Sequence, residues 1–245
     1  MKRRIVALGV MITALAGPTW ALSTYSGSLS VEDGGLVAYG LGWAGTSLDP
    51  AETRVTWTVT ETSPGMWHYQ YRLTVPMHSI GRIILEASDG SPGPAFTATD
   101  LHNLSGGTYP WITGILIDTH QVSPENPGMP EAMYGMKFDS WIAITTIDLS
   151  FDSERQPVWG DFYARTIGFV CPANGQYNTT FMCEWVHNTG FTLDDFDPTD
   201  PASNGSILYH LLVPDSTPGI PAPGALLLGS LGVAFVGWLR RRGSV

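Results

Sequence analysis

The sequence predicts an all-β fold: one antiparallel β-sandwich of jelly-roll type, set between an N-terminal leader and a C-terminal helix long enough to cross a membrane. Three observations carry this. Apolar residues in the middle of the chain alternate with period two rather than 3.6. The 245 residues include 28 Gly and 18 Pro, which punctuate the chain too often for long helices. No apolar stripe of helical spacing runs through the middle of the chain, whereas about ten short strand-like runs do.

The clearest run is Thr53 to Thr60, where Val55, Trp57 and Val59 alternate with Arg54, Thr56, Thr58 and Thr60. Ser63-Pro64-Gly65 supplies a turn, and Trp67, Tyr69, Tyr71, Leu73 and Val75 alternate with His68, Gln70, Arg72 and Thr74, making a hairpin partner. Further strands are expected at 36–41, 80–87, 111–117, 132–138, 142–151, 157–164, 180–187 and 206–213. In the 142–151 run, Ile147, Leu149 and Phe151 oppose Asp148, Ser150 and Asp152, as a half-buried antiparallel strand requires. The breaker clusters Ser88 to Pro94 and Ser123 to Pro130 read as long loops on this frame. The expected division is a leader at 1–21, a sandwich at 22–216 and a tail at 217–245.

Met1-Lys-Arg-Arg4, the apolar run Ile5 to Ala16 and the break at Gly17-Pro18 have the three-part order of a secretory signal. Small residues at Thr19 and Ala21 place signal-peptidase cleavage after Ala21, so that Leu22 begins the mature chain and the Sec translocon and signal peptidase are the implied partners. At the other end, Thr217 to Gly224 is a tether stiffened by three prolines. From Ile220 onward about twenty uncharged residues precede Arg240, Arg241 and Arg242, and at ~1.5 Å each they span ~30 Å of hydrocarbon, with the helix itself placed at about 222–239. The arginines belong on the cytoplasmic side, which leaves the body outside the inner membrane.

A proline motif, a hydrophobic span and a terminal arginine cluster, in that order, resemble the PEP-CTERM sorting tail of exported bacterial proteins. The motif here has the variant form Pro221-Ala222-Pro223, and the likeness covers about 25 residues. Two body phrases, Asn126 to Phe138 and Phe151 to Ala164, are similar to segments of uncharacterised members of that family. The resemblance implies a Gram-negative-type envelope and recognition by an exosortase-type membrane protease. It implies transient anchorage in the inner membrane, then delivery to the cell surface or an exopolysaccharide matrix.

Charge limits the partners. With the six cations of the two ends set aside, six basic residues face 22 acidic ones, about −16 over the stretch between. A body so acidic repels phosphate backbones, which excludes nucleic acid as a partner. Cys171 and Cys183, the only cysteines, are expected to pair in an oxidising compartment, a bridge worth on the order of 3 kcal/mol. The cluster Asp194, Asp195, Asp197 and Asp200 offers hard oxygen ligands to Ca²⁺, yet its spacing fits no EF-hand and a solvated turn is the plainer reading. Aromatic rings stack on sugars, and Trp111, Trp159 and Tyr163, near expected loops, are the candidates for carbohydrate contact. Trp57, Trp67, Tyr69 and Tyr71 have core-facing spacing instead. The chain carries no Gly-x-Ser-x-Gly elbow, no His-Glu-x-x-His helix and no phosphate-cradling glycine loop, and its six histidines are scattered. A non-enzymatic exported protein with no catalytic residues and no required cofactor is therefore the leading expectation. A carbohydrate-binding module is the alternative, and a glycoside hydrolase with an unassigned carboxylate pair stands behind both.

Overall fold

A computed structural model of the chain describes residues 22–40, 42–44, 53–91, 93–107, 112–167, 184–194 and 202–216. The leader 1–21 and the tail 217–245 lie outside the described residues, as do Cys171 and Cys183. Among the described residues no helix is long and apolar enough to cross a membrane.

The strands are β1 (Thr24–Ser30), β2 (Leu36–Tyr39), β3 (Arg54–Ser63), β4 (Met66–Thr74), β5 (Ile80–Glu86), β6 (His102–Ser105), β7 (Gly114–His120), β8 (Met133–Asp139), β9 (Thr146–Ser153), β10 (Val158–Gly160), β11 (Phe162–Thr166), β12 (Trp185–Asn188) and β13 (Leu211–Val213). The only helical elements described are two 3₁₀ turns, Ala98–Asp100 and Thr189–Thr192. One sheet has the order β1-β3-β4-β9-β6, a second β2-β12-β11-β5-β8-β7, and β10 and β13 form a short ribbon. Every pairing is antiparallel.

The alternation read from the sequence decides which side of each strand is dry. Val55, Trp57 and Val59 of β3, Tyr69, Tyr71 and Leu73 of β4, and Ile147, Leu149 and Phe151 of β9 point inward. They share one core with Ile83 and Leu85 of β5, Met136 and Phe138 of β8, and Phe162 and Ala164 of β11. Two antiparallel sheets thus meet across a single apolar layer, the arrangement of a β-sandwich. Gly27 of β1 stands opposite Trp57, and a Cβ there would lie 2.2 Å from the indole, so only glycine leaves room for that ring.

The six-stranded sheet is dry on its other face as well. There Ile84, Met133, Tyr163 and Phe191 form a second cluster with Met129, carried on the Ser123 to Pro130 loop. Arg82 holds that loop down, donating to the Glu125 carbonyl and the Asn126 side chain while its Nε binds Asp139 at 2.7 Å.

Four expected strands are shortened. The 157–164 run is broken at Asp161, where β10 leaves for one sheet and β11 for another. At that corner the Asp161 amide donates to Glu86 Oε2 at 2.7 Å, and its carboxylate accepts from Asn188 and faces His210 Nδ1 at 3.1 Å. The 206–213 run begins as a turn, with Leu208 and Tyr209 in the left-handed region, and extends only from Leu211. The 142–151 strand begins at Thr146 and the 111–117 strand at Gly114. Both β1 and β6 went unanticipated. The first carries Gly27 and serines where apolar residues would betray a strand, and the second is a four-residue edge with an irregular register.

Candidate functional site

Two of the three aromatic side chains expected to meet sugar do not reach solvent. Trp159 is 1% exposed, turned into the core where β10 pairs with β13. Tyr163 is 0% exposed because the Ser123 to Pro130 loop closes over it, its hydroxyl donating to the Pro127 carbonyl at 2.8 Å. Burial pushes the Tyr163 phenol far above its ordinary range. Neither ring offers a face to a ligand, so both candidates are corrected to core residues. Trp111 lies outside the described residues. Of the acidic cluster, Asp194 is exposed, and Asp195, Asp197 and Asp200 lie outside the described residues. Among the described residues no three metal-ligating side chains come together.

Among the described residues the most exposed indole is that of Trp141, at 78%, in the loop between β8 and β9. Trp43, Trp57 and Trp67 are core residues, and Trp185 is sandwiched between Tyr39 at 5.4 Å and His187 at 5.5 Å. The Trp141 loop is pinned at both ends of the segment joining β4 to β5, to Val75 just after β4 and to Ile80 and Gly81 at the start of β5. The Ser140 amide donates to the Gly81 carbonyl, and the Ile144 and Thr145 carbonyls accept from the Ile80 and Val75 amides, all at 2.8 to 2.9 Å. Both loops therefore lie side by side at one end of the sandwich.

Within the β4–β5 loop, His78 adopts φ +62°, a left-handed conformation that side chains other than glycine rarely take. Its Nδ1 hydrogen-bonds Glu184 Oε2 at 2.8 Å, and Glu184 Oε1 accepts the Gly42 amide at 2.7 Å. The Glu184 side chain is 0% exposed and the imidazole 23%. A Cβ on Gly40 would come within 2.3 Å of the Glu184 side chain, and one on Gly42 within 2.3 Å of the imidazole. Two glycines thus make the space in which the carboxylate reaches the ring. A histidine so held has Nδ1 committed and its hydrogen-bonding capacity left on Nε2, oriented by a carboxylate that cannot swing away.

Two further polar clusters do other work. On the outer face of the five-stranded sheet, Asp152 accepts from Asn103 at 2.6 Å and pairs with His68 at 2.5 Å. Burial alone would raise the Asp152 carboxyl, but those two bonds outweigh it and hold the group below the ordinary carboxylate range. The same face is a ladder of hydroxyls and amides, with Thr24, Thr60, His68 and Asp152 in one row and Ser26, Thr58, Gln70 and Ser150 in the next. The Asp161, Asn188 and His210 cluster is buried and joins three chain segments.

Sequence reasoning missed Trp141, His78 and Glu184. The signal for Trp141 was present: Ser140-Trp141-Ile142-Ala143 follows a complete strand and breaks its alternation. The His78–Glu184 pair joins residues 106 apart and left no trace in spacing. Comparison of the chain with known protein families, with curated proteins and with solved structures finds no match.

Proposed function

We propose that the chain is a non-enzymatic exported protein of the cell surface or exopolysaccharide matrix. It is delivered by the Sec translocon, trimmed by signal peptidase after Ala21, held in the inner membrane by its tail and released by an exosortase-type protease. The observation that carries this reading is the order of parts along the chain: a basic and apolar leader, a β body, a proline-stiffened tether, an apolar run and three arginines. The geometry of the body agrees with it. At Ser216, the last described residue before the tether, the carbonyl accepts from Arg155 Nη1 at 3.0 Å, so the tether leaves from an anchored point. Jelly-roll character is part of the same reading. Its support is the repeated passage of the chain between sheets, at β1 to β2, β2 to β3, β4 to β5, β5 to β6, β6 to β7 and β8 to β9.

The test is fractionation in a host with and without its exosortase-type protease. With the protease, the body is expected at the surface or in the matrix. Without it, chain that has lost its leader but keeps its C-terminal tail should accumulate in the inner membrane. Identical distribution in the two strains would overturn the sorting route.

A further inference from the structure

We infer that the end of the sandwich bearing Trp141 and the His78–Glu184 pair is a contact site for an uncharged polysaccharide chain. Such a site presupposes the surface-or-matrix destination proposed above. The indole is the platform. At 78% exposure Trp141 stands out of the body, with Ile142 next to it and Met77 of the adjoining loop also exposed, whereas Trp43, Trp57, Trp67 and Trp159 are enclosed. An apolar, flat ring at a loop tip matches the C–H face of a pyranose.

A polar group is built into the neighbouring loop. His78 holds a backbone conformation that glycine would adopt freely, and its ring is fixed by a fully enclosed carboxylate seated over Gly40 and Gly42. A turn needing only its shape would be served by glycine at position 78. Histidine there adds a ring nitrogen, Nε2, whose direction is set by Glu184 and which can bond a sugar hydroxyl.

Charge selects the class of sugar. Around the β8 end of the loop, Arg82 Nε and Lys137 Nζ both turn to Asp139, at 2.7 and 3.5 Å, and with side chains 10% and 15% exposed neither cation stands out to hold a carboxylate. The body as a whole is strongly acidic. Uronate-rich chains are repelled and neutral ones are not.

The experiment is affinity electrophoresis of the full chain in detergent micelles through gels carrying a neutral β-1,4-glucan, a neutral β-1,3-glucan, dextran or alginate. At least one neutral glucan should retard the protein and alginate should not. Trp141→Ala should weaken that retardation roughly tenfold, with the thermal midpoint unchanged because the ring packs on little. Trp141→Tyr should restore most of it, and His78→Gly, which keeps the turn, should weaken it about threefold or more. Failure of all three neutral glucans, retardation indifferent to Trp141→Ala, or stronger retardation by alginate would each overturn the site. So would a wild-type dimer abolished by Trp141→Ala, since the indole would then cover a second copy. The fractionation above reads destination independently: surface protein that ignores every glucan overturns the site alone, and protein retained in the cytoplasm overturns the destination alone.

Discussion

Arg155 is 1% exposed, and its guanidinium spends its donors on four partners: Asp100 Oδ1 through Nε, the Pro94 and Ser216 carbonyls through Nη1, and the Ala95 carbonyl through Nη2. It also lies 5.8 Å from the centroid of the Phe96 ring. One side chain thus ties the loop before the first 3₁₀ turn to the last described residue of the body. Arg155→Met removes every donor and leaves the carboxylate and three carbonyls short of partners, a loss of about 3–5 kcal/mol in urea unfolding. Arg155→Lys should recover little of it, because an ammonium cannot reproduce the planar fork. A loss under 1 kcal/mol for Arg155→Met would contradict this role. Nothing in the sequence around Arg155 distinguishes it from a surface arginine, since its partners come from two distant segments, 94–100 and Ser216. Burial of Trp159 and Tyr163 was hidden for the same reason: the pieces that cover them, β13 and the Ser123 to Pro130 loop, are remote in sequence.

At the scale of elements, the β3–β4 hairpin was legible residue by residue because one face is wet and the other dry, which makes the alternation strict. Strand β5 is dry on both faces, and its run Ile80 to Glu86 accordingly does not alternate. The two sheets end on short or exposed strands. On β7, the last strand of its sheet, Ile115 and Leu116 are exposed beside an apolar groove of about 510 Å³ lined in part by Phe96, Leu101, Leu104 and Tyr134. An edge of this kind invites pairing between chains. Leu116→Lys should lower self-association at high concentration, measured by light scattering, with a thermal midpoint within about 2 °C of wild type. Unchanged scattering would show that this edge is already guarded.

For the whole molecule, pH acts through two sets of groups with the same sign. Burial lowers His120 and His187, so both are kept neutral in the fold and protonate more readily in the unfolded chain. Their contribution is complete above the unfolded value near 6.5 and declines as pH falls. At Asp100, as at Asp152, burial would raise the carboxyl, but hydrogen bonds from Arg155 and Thr97 outweigh it and lower the group. That second contribution is complete above about pH 4 and is lost as pH falls through the folded values. In ~0.15 M salt, where diffuse repulsion within the acidic body is screened beyond ~8 Å, the urea midpoint should hold from pH 8 to 7, fall between about 6.5 and 5, and fall again below 4. A midpoint that rises from pH 7 to 5 would contradict it. At this scale the all-β class and the antiparallel sheets were legible, because composition and alternation are properties of the whole chain. The end of the sandwich that gathers Trp141, His78 and Glu184 was not, because loop packing alone brings it together. The claim on which the function turns is that both ends of the chain are removed on the way out. Intact mass spectrometry of the protein recovered from surface or matrix fractions tests it directly. A chain that begins at Leu22 and lacks Arg240, Arg241 and Arg242 is the expected species, and surface protein that retains its three terminal arginines would contradict the claim.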